Sequence, residues 1–420
     1  MQIYVLNTSY ETVGMVDEYE SVLWQKKYND VGEAEIYLPA SNEMILLLQK
    51  GFYLYRYDDD MFCKIEKVEI KTDVENGDYL IATATDICSL LSGRIVRGQV
   101  NSSGVTPPVV FSGKVANFIK KLITDNVIAP PTNQTQRKIS NFEFDDSNFA
   151  ELTETIETSV IAEDLLQLII KTCKSYNYGF RVSYNTNTQR LIFRLYKGAN
   201  KATTTSDEYV EFSPAFANIL SSEFVVDAIG LKNVAYVGYK TAADEFALLS
   251  MYNGTAEPQG ENRKEIYVDG TSISRSATLE ELQSIFHGNV KQYITIPGEA
   301  GYYYITTGGN EIKVATYEAS TNSDGEYEEK ITLTDYTYLL LIRAIGRNAL
   351  AENVETQSFS GDVDTIDTYE YKTDYDLGDT VKVINEYGIE AEAQITEVME
   401  SDDTDIGYSV EPKFEFKEED

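Results

Sequence analysis

Tyr371-Lys-Thr-Asp-Tyr-Asp-Leu-Gly-Asp-Thr-Val-Lys-Val-Ile384 reads as a tight turn that delivers the chain into a β-strand. Within it, Asp376-Leu-Gly-Asp379 combines carboxylates, which accept hydrogen bonds from nearby backbone N–H groups, with a glycine free to adopt positive φ. Leu377 is the apolar member of the turn and is expected to be a core contact, and the Val-Lys-Val-Ile run that follows favours a pleated strand. Strand patterning also covers Glu355 to Val363, Ile389 to Met399 and Tyr408 to Phe416, so the turn sits inside a C-terminal β-domain. Tyr375, Asp376, Leu377, Gly378, Asp379 and Val381 are the expected structural motif of that domain.

The opposite end of the chain has the same texture. Ile3 to Leu6, Ser21 to Gln25, Glu33 to Leu38, Phe52 to Tyr57, Phe62 to Ile70 and Tyr79 to Ala84 alternate as half-buried strands, and this spacing predicts a small antiparallel barrel. A helix is expected from Ser41, an N-cap residue, through Met44, Ile45, Leu47 and Leu48 until Gly51 stops it. A second short helix, Asp86 to Leu91, should end at Gly93.

Between the two ends the pattern changes twice. Asn101-Ser-Ser-Gly-Val-Thr-Pro-Pro108 is a loop signature and marks a boundary. Beyond it, Ser112 is expected to cap a helix carrying Val115, Phe118, Ile119, Leu122 and Ile123, and a second helix over about Ser159 to Tyr176 carries Ala162, Leu165, Leu166, Ile169, Ile170 and Cys173. Gly179 to Tyr196 reads as a hairpin turning at Asn-Thr-Asn-Thr, and Lys201 to Asp207 as a linker. Strands resume at Leu231 to Tyr239 and Glu245 to Tyr252; then come a helix from Leu279 to about Tyr293, the Gly/Tyr-rich stretch Gly301 to Gly309, and a long helix, Asp335 to Asn353, with Tyr338, Leu341, Ile342, Ile345 and Ala349 on one face. The expected fold class is mainly β with α+β insertions, built on two small antiparallel β-barrels. The first barrel spans 1–100 and is completed by 206–230; the second combines 231–255 with 355–420; the insertions cover 101–205 and 256–354.

Of 420 residues, 69 are acidic and 35 basic, a formal net charge of −34, while the 42% hydrophobic content is that of a folded protein. Such a surface repels nucleic acid, and the basic residues do not cluster beyond pairs such as Lys26-Lys27 and Lys120-Lys121, which argues against a dedicated DNA-binding role. Cys63, Cys88 and Cys173 are widely spaced, form no Cys-x-x-Cys pair, and are expected in cores. The N-terminus lacks the features of a secretory signal, and apolar runs such as Ile45 to Leu48 and Leu339 to Ile342 fall far short of the roughly 20 residues that span a bilayer, so a soluble, cytoplasmically made chain without a membrane anchor is expected.

The run from Tyr371 to Ile384, followed by Ala391-Glu-Ala-Gln-Ile-Thr-Glu-Val398 and Tyr408-Ser-Val-Glu-Pro-Lys-Phe414, resembles the C-terminal barrel of phage tail hub proteins. Phe62-Cys-Lys-Ile-Glu-Lys-Val-Glu-Ile70 and Asp86-Ile-Cys-Ser-Leu-Leu-Ser-Gly-Arg-Ile-Val96 resemble the matching stretch of the siphophage hub family, found at the tail tip or baseplate. The resemblance implies a homotrimer whose three chains, with two similar barrels each, build a ring of six that matches the hexameric tail rings. It further implies a hub that closes the tail tube and opens for the tape-measure protein and DNA. Its partners would be the distal tail protein, the tape-measure protein and receptor-binding or fibre proteins, with DNA passing transiently and without specific binding. The location implied is the virion, after assembly in the host cytoplasm. A channel lined with carboxylates would keep DNA from sticking.

No catalytic, cofactor-binding or metal-ligating residues are expected. The phosphate-loop, His-Glu-x-x-His and Gly-x-Ser-x-Gly patterns are absent, and Ser112-Gly-Lys-Val115 lacks both the upstream glycine and the hydroxyl of a phosphate loop. Asp362-Val-Asp-Thr-Ile-Asp367 lacks the glycine and glutamate of a calcium loop and reads as a solvated turn. The one histidine, His287, precedes Gly288 at a helix end and reads as a surface or capping residue. Tyr302-Tyr-Tyr304 and Tyr317 read as sheet packing; as a sugar-stacking or interface surface they would support the alternative, a saccharide-binding adhesin or host-recognition module. A cell-wall hydrolase is a third reading, since many hubs of this kind continue into such a module, but here the last predicted strand is followed only by Lys417-Glu-Glu-Asp420 and a lytic module is expected on another polypeptide.

Overall fold

The computed structural model describes residues 1–72, 77–97, 109–160, 162–203, 208–219, 221, 223–286, 288–296, 300–321, 327–360 and 369–416. The chain divides into two units, one comprising Met1–Val109, Gly113–Val225 and Ser358–Asp420, the other Val110–Ser112 and Val226–Gln357.

All six strands expected near the N-terminus form, together with one that the pattern did not show. They are β1 (Ile3–Leu6), the additional β2 (Thr12–Val16), β3 (Ser21–Lys27), β4 (Glu33–Pro39), β5 (Tyr53–Tyr55), β6 (Phe62–Lys71) and β7 (Tyr79–Asp86), followed by the two-residue β8 (Ile95–Val96). Alternation fixes the buried face: in β7, Leu80, Ala82 and Ala84 point inward while Ile81 and Thr83 are only half-buried. Those three join Ile3, Val5, Val22, Trp24, Ile36, Leu54 and Ile65 in one core. Ser41 caps the helix Asn42–Leu47 by accepting from the Met44 N–H, as its residue type favours.

A second core lies around Val381, Val383, Ala393, Ile395, Val398, Val410 and Phe414. Its strands are Thr380–Ile384, Glu390–Asp403 and Gly407–Phe416, antiparallel in that order, with Glu211–Phe212 running parallel to the first.

The expectation of two closed barrels is corrected here. Among the described residues no sheet closes on itself; both strand sets belong to one thirteen-stranded sheet, joined where Glu397–Asp403 pairs with the whole of β3. A strand has two hydrogen-bonding edges, and those of β3 are taken by β4 and by this C-terminal strand, so neither set has an edge there to close upon. Two boundaries also differ. Residues 211–212 serve the second core and not the first, because Phe212 is buried against Tyr375 and Phe414. The strands at 231–255 pair with each other and with Glu265–Asp269, inside the second unit.

The helices and hairpin of 101–205 lie in the first unit. The helix Val115–Ile123 buries Val115, Phe118, Ile119, Leu122 and Ile123; its N-cap is Lys114, not Ser112, and makes no side-chain cap bond. The next helix begins later than its periodicity predicts, at Leu165, because Thr155–Val160 is strand and Asp164 accepts from the Leu166 and Gln167 N–H groups. The hairpin pairs Gly179–Asn185 with Arg190–Tyr196.

The second unit holds a three-stranded sheet, Phe246–Tyr252, Val234–Lys240 and Glu265–Asp269, and a five-stranded sheet centred on Asn310–Thr321. The helix Asp335–Ala351 packs Tyr338 and Ile342 into its core. The helix expected over 279–293 stops at Ile285, and Lys291–Ile296 is instead a strand paired with Ala300–Thr307. Gly308 and Gly309, both at positive φ, turn that strand into the next. Tyr303 and Tyr317 are buried, whereas Tyr293, 52% exposed, stacks on Tyr302. His287, the loop 101–108, Asp362–Asp367 and residues 204–207 of the predicted linker lie outside the described residues.

Candidate functional site at the turn from Tyr371 to Val381

The Asp-Leu-Gly-Asp turn is buried. Leu377 and Tyr375 are each 1% exposed and Val381 is fully buried, all three in the second core, where Tyr375 meets the ring of Phe212 edge-on. The two aspartates shape the backbone: Asp376 Oδ1 accepts from the Leu377 N–H at 2.7 Å, and Asp379 Oδ2 accepts from the Asp376 N–H at 2.9 Å. The other oxygen of Asp379 accepts from the Ala199 N–H at 2.7 Å, and Lys201 Nζ stands 3.1 Å from Oδ2. The turn is also bonded to the long C-terminal strand, through Gly378 N–H to Ile395 O and Gln394 Nε2 to Gly378 O.

Gly378 has a more specific reason. It sits at φ +91, a conformation L side chains rarely adopt, and any Cβ there would enter the ring of Tyr28. Tyr28 follows β3 directly. Its ring is wedged between Gly378 and Gly179; its hydroxyl donates to Asn177 O at 3.1 Å and accepts from the Gly198 N–H at 3.3 Å. Burial pushes its phenol up to about 12, so it remains a neutral donor.

Upstream in the same segment, Lys372 enters an ionic cluster in which the side chains of Lys26, Arg56, Asp59 and Glu400 are buried while that of Lys372 is half-buried and that of Asp58 exposed. Lys372 Nζ donates to Asp59 Oδ2 at 2.6 Å and to Asp58 O at 2.8 Å. Lys26, 2% exposed, ion-pairs with Asp59 and stands 3.2 Å from Glu400 Oε1, a contact without hydrogen-bond alignment. Arg56, 3% exposed, donates to Glu400 Oε2 at 3.0 Å and forks onto Asp58. Trp24 Nε1 and the Met61 N–H both donate to Asp59 Oδ1, and Tyr408 donates to Glu400 Oε2. Burial works against ionisation of Asp59 but is outweighed by Lys26 and Lys372, which hold it well below the usual carboxylate range.

Lys26, Arg56 and Lys372 face Asp58, Asp59 and Glu400, so the formal charges balance. The cluster's place follows from register. Trp24 lies opposite Glu400 and Lys26 opposite Val398, on the same face of the sheet. Trp24 belongs to the first core and Val398 to the second. The ion pairs therefore form a polar belt between two apolar cores, and Tyr371, with Lys26 Nζ 4.6 Å from its ring centroid, borders it.

Lys26, Arg56, Asp59, Glu400 and Tyr28 were not foreseen. One signal was available: Lys26 occupies an inward position in the Val22, Trp24, Lys26 alternation, and a charge at such a position implies a buried partner. One partner, Asp59, lies in a turn of the same strand set, and the other, Glu400, is brought in only by a pairing across the whole chain. Among the described residues there is no group of His, Cys, Asp or Glu placed to hold a metal ion, and no helix is long and apolar enough to cross a membrane.

Residues 2–414 match the model of one protein family, described as Siphovirus ReqiPepy6 Gp37-like protein. No curated protein matches the sequence. Among solved structures, a tail protein from Neisseria meningitidis MC58 is similar at 10% identity and a TM-score of 0.49, covering 98% of this chain and 95% of its own. Prophage tail protein gp18 from Listeria monocytogenes EGD-e gives 12% and 0.46, covering 100% and 96%. The 43 kDa tail protein of prophage MuSo2 from Shewanella oneidensis gives 8% and 0.49, covering 99% and 98%.

Proposed function

The chain belongs to the Siphovirus ReqiPepy6 Gp37-like family, a structural component of the phage tail and of the virion, and we propose that it is the hub at the distal end of that tail. In this reading three copies assemble into a ring that closes the tail tube, opens for the tape-measure protein and DNA, and anchors the distal tail protein and the receptor-binding or fibre proteins. The observation that carries it is the pairing of β3 with Glu397–Asp403, which locks two separately cored strand sets into one sheet through a buried ionic belt. Such a unit presents two lobes at fixed spacing, so a three-fold ring would offer six contacts to a six-fold neighbour. The lobes take the place of the two barrels, and the Tyr375 to Val381 turn packs Gly378 against Tyr28, at the end of β3, and against Gly198, just after the hairpin. Carboxylates facing the lumen would let DNA pass without adhering, in keeping with the net charge of −34.

The test is solution mass by light scattering over a range of protein concentration and salt. A species of about 142 kDa, three times the 47.3 kDa chain, is the expected result. A monomer throughout, even with the distal tail protein added, would overturn the ring.

The exposed Tyr293 stacked on Tyr302, with Lys313 Nζ 4.9 Å from the Tyr302 ring centroid, favours one second reading, a saccharide-binding surface on the second unit. Glycan-array binding lost on Tyr293→Ala would establish it; no binding would remove it.

A further inference from the structure

Three arginines of the first unit converge on an open cleft of about 720 Å³, lined by Leu90, Gly93, Arg94, Ile95, Arg97 and Arg137 among others. In a chain with 69 acidic residues, no carboxylate of the described residues ion-pairs with any of the three. Nor does the adjoining sequence 98–108 contain an acidic residue.

Two of the guanidinium groups are held by neutral oxygens. Arg94 donates through Nε to Leu90 O at 3.1 Å and through Nη1 to Arg137 O at 2.6 Å and Asn126 O at 3.1 Å. Arg137 donates through Nη2 to Ile95 O at 2.9 Å and through Nη1 to Gln134 Oε1 at 2.8 Å. These bonds orient both side chains and leave their charge uncompensated. Burial, and for Arg137 also the neighbouring Arg94 and Arg97, lowers the affinity of both for their protons below the ordinary arginine value. Of the two carboxylates on the strand paired with Ile95–Val96, Asp164 is engaged elsewhere, accepting from the Gly93, Leu166 and Gln167 N–H groups as a helix cap, and Glu163, opposite Val96, is exposed and ion-pairs with none of the three arginines. Arg97 is exposed, and no hydrogen bond or ion pair of its own is recorded among the described residues.

We infer that Arg94, Arg97 and Arg137 form a carboxylate-binding cleft that takes an acidic segment of another protein chain, such as the carboxylate-rich surface of a second copy. The guanidinium N–H donors left over from these bonds, and all those of Arg97, can make charge-assisted hydrogen bonds to carboxylates. The cleft accommodates a few side chains, and its wall includes Leu90 and the 49% exposed Ile95, apolar contacts that suit a peptide and not a sugar-phosphate backbone. A long polyphosphate would also meet the repulsion of the whole chain. The cleft is a property of the single chain and does not depend on assembly into a tail.

Fluorescence anisotropy of a labelled hexaglutamate peptide titrated with the full chain tests this. Saturable binding is expected at low salt, abolished by about 0.5 M sodium chloride, and weakened about tenfold or more by Arg97→Gln, whose loss of one fork removes a charge-assisted contact. Arg343→Gln, which removes the same charge from the second unit, should leave binding unchanged. Identical thermal unfolding of Arg97→Gln and the parent separates lost binding from lost folding. Equal binding by Arg97→Gln, an equal loss in Arg343→Gln, preferential capture of single-stranded DNA, or a cleft that takes inorganic phosphate but not the peptide would each overturn the assignment.

Discussion

Gly198 and Gly378 approach so closely that a side chain on the first would overlap the carbonyl group of the second, and a side chain on the second would enter the ring of Tyr28. Two segments far apart in sequence thus meet backbone to backbone over one tyrosine. This contact seats the second strand set on the end of β3 and on the chain that follows the hairpin, and the ionic belt joins it to the first set.

Gly378→Ala should therefore cost at least about 3 kcal/mol, since strain at positive φ adds to a clash with a ring that cannot retreat. Gly388→Ala is the control: its φ is +74 but its surroundings are open, and about 1 kcal/mol is expected. Urea unfolding of the two variants measures the difference, and equal losses would mean that the Tyr28 contact is unimportant.

Tyr28→Phe keeps the ring and removes only the hydroxyl bonded to Asn177 O and the Gly198 N–H. A loss of about 1–2 kcal/mol is expected, with proton exchange at the Gly198 amide accelerated.

Lys26→Met should cost about 3–5 kcal/mol, because it strips a buried partner from Asp59 and Glu400. Lys67→Met removes an exposed surface ion pair and should leave the stability close to that of the parent. Denaturant midpoints decide the matter, and comparable costs would show that the belt contributes no more than the surface does.

Two aspartates give opposite pH dependences. Burial pushes Asp86 up to about 6, opposed by the Cys88 N–H that it accepts, so the folded state binds its proton more tightly than the unfolded chain. That contribution is greatest below about pH 4 and is lost as the pH rises through 6. Asp59 is depressed, so its contribution is present above about pH 4 and is lost as the pH falls below that. Asp86→Asn should retain the cap and stabilise the protein at pH 8 by about 1–3 kcal/mol, with little effect at pH 4. Urea midpoints at the two pH values check this, and a gain that does not depend on pH would contradict it.

Strand alternation made the two β-rich ends and the hairpin legible, because one buried face imposes a period of two on the residues themselves, as in β7. The bonds inside the Asp376 to Asp379 turn are of the same local kind, running one and three residues along the chain, whereas its bonds to Ala199, Gln394 and Ile395 carried no signal in the sequence. The joining of the two ends was not legible. Nothing in β3 announces that its second edge belongs to residues 397–403, and the expected barrels failed at that point. The same holds for the belt, since Asp58-Asp59-Asp60 looks like any solvated turn until Lys26 and Lys372 are brought against it. Thr12–Val16 was missed because Gly14 interrupts its apolar pattern and Leu47 fills the space that a side chain there would need.

The partner of β3 is about 370 residues downstream, a separation that bears on how the protein is made. At translation speeds of about 5–20 residues per second, the N-terminal strand set waits roughly 20 to 70 seconds for its neighbour to leave the ribosome. Throughout that interval the backbone edge of β3 stands unpaired and Lys26 and Arg56 lack Glu400, leaving the edge open to the same edge on nascent chains from adjacent ribosomes. Synthesis slowed after the N-terminal set has emerged should therefore reduce the soluble yield more than synthesis slowed earlier.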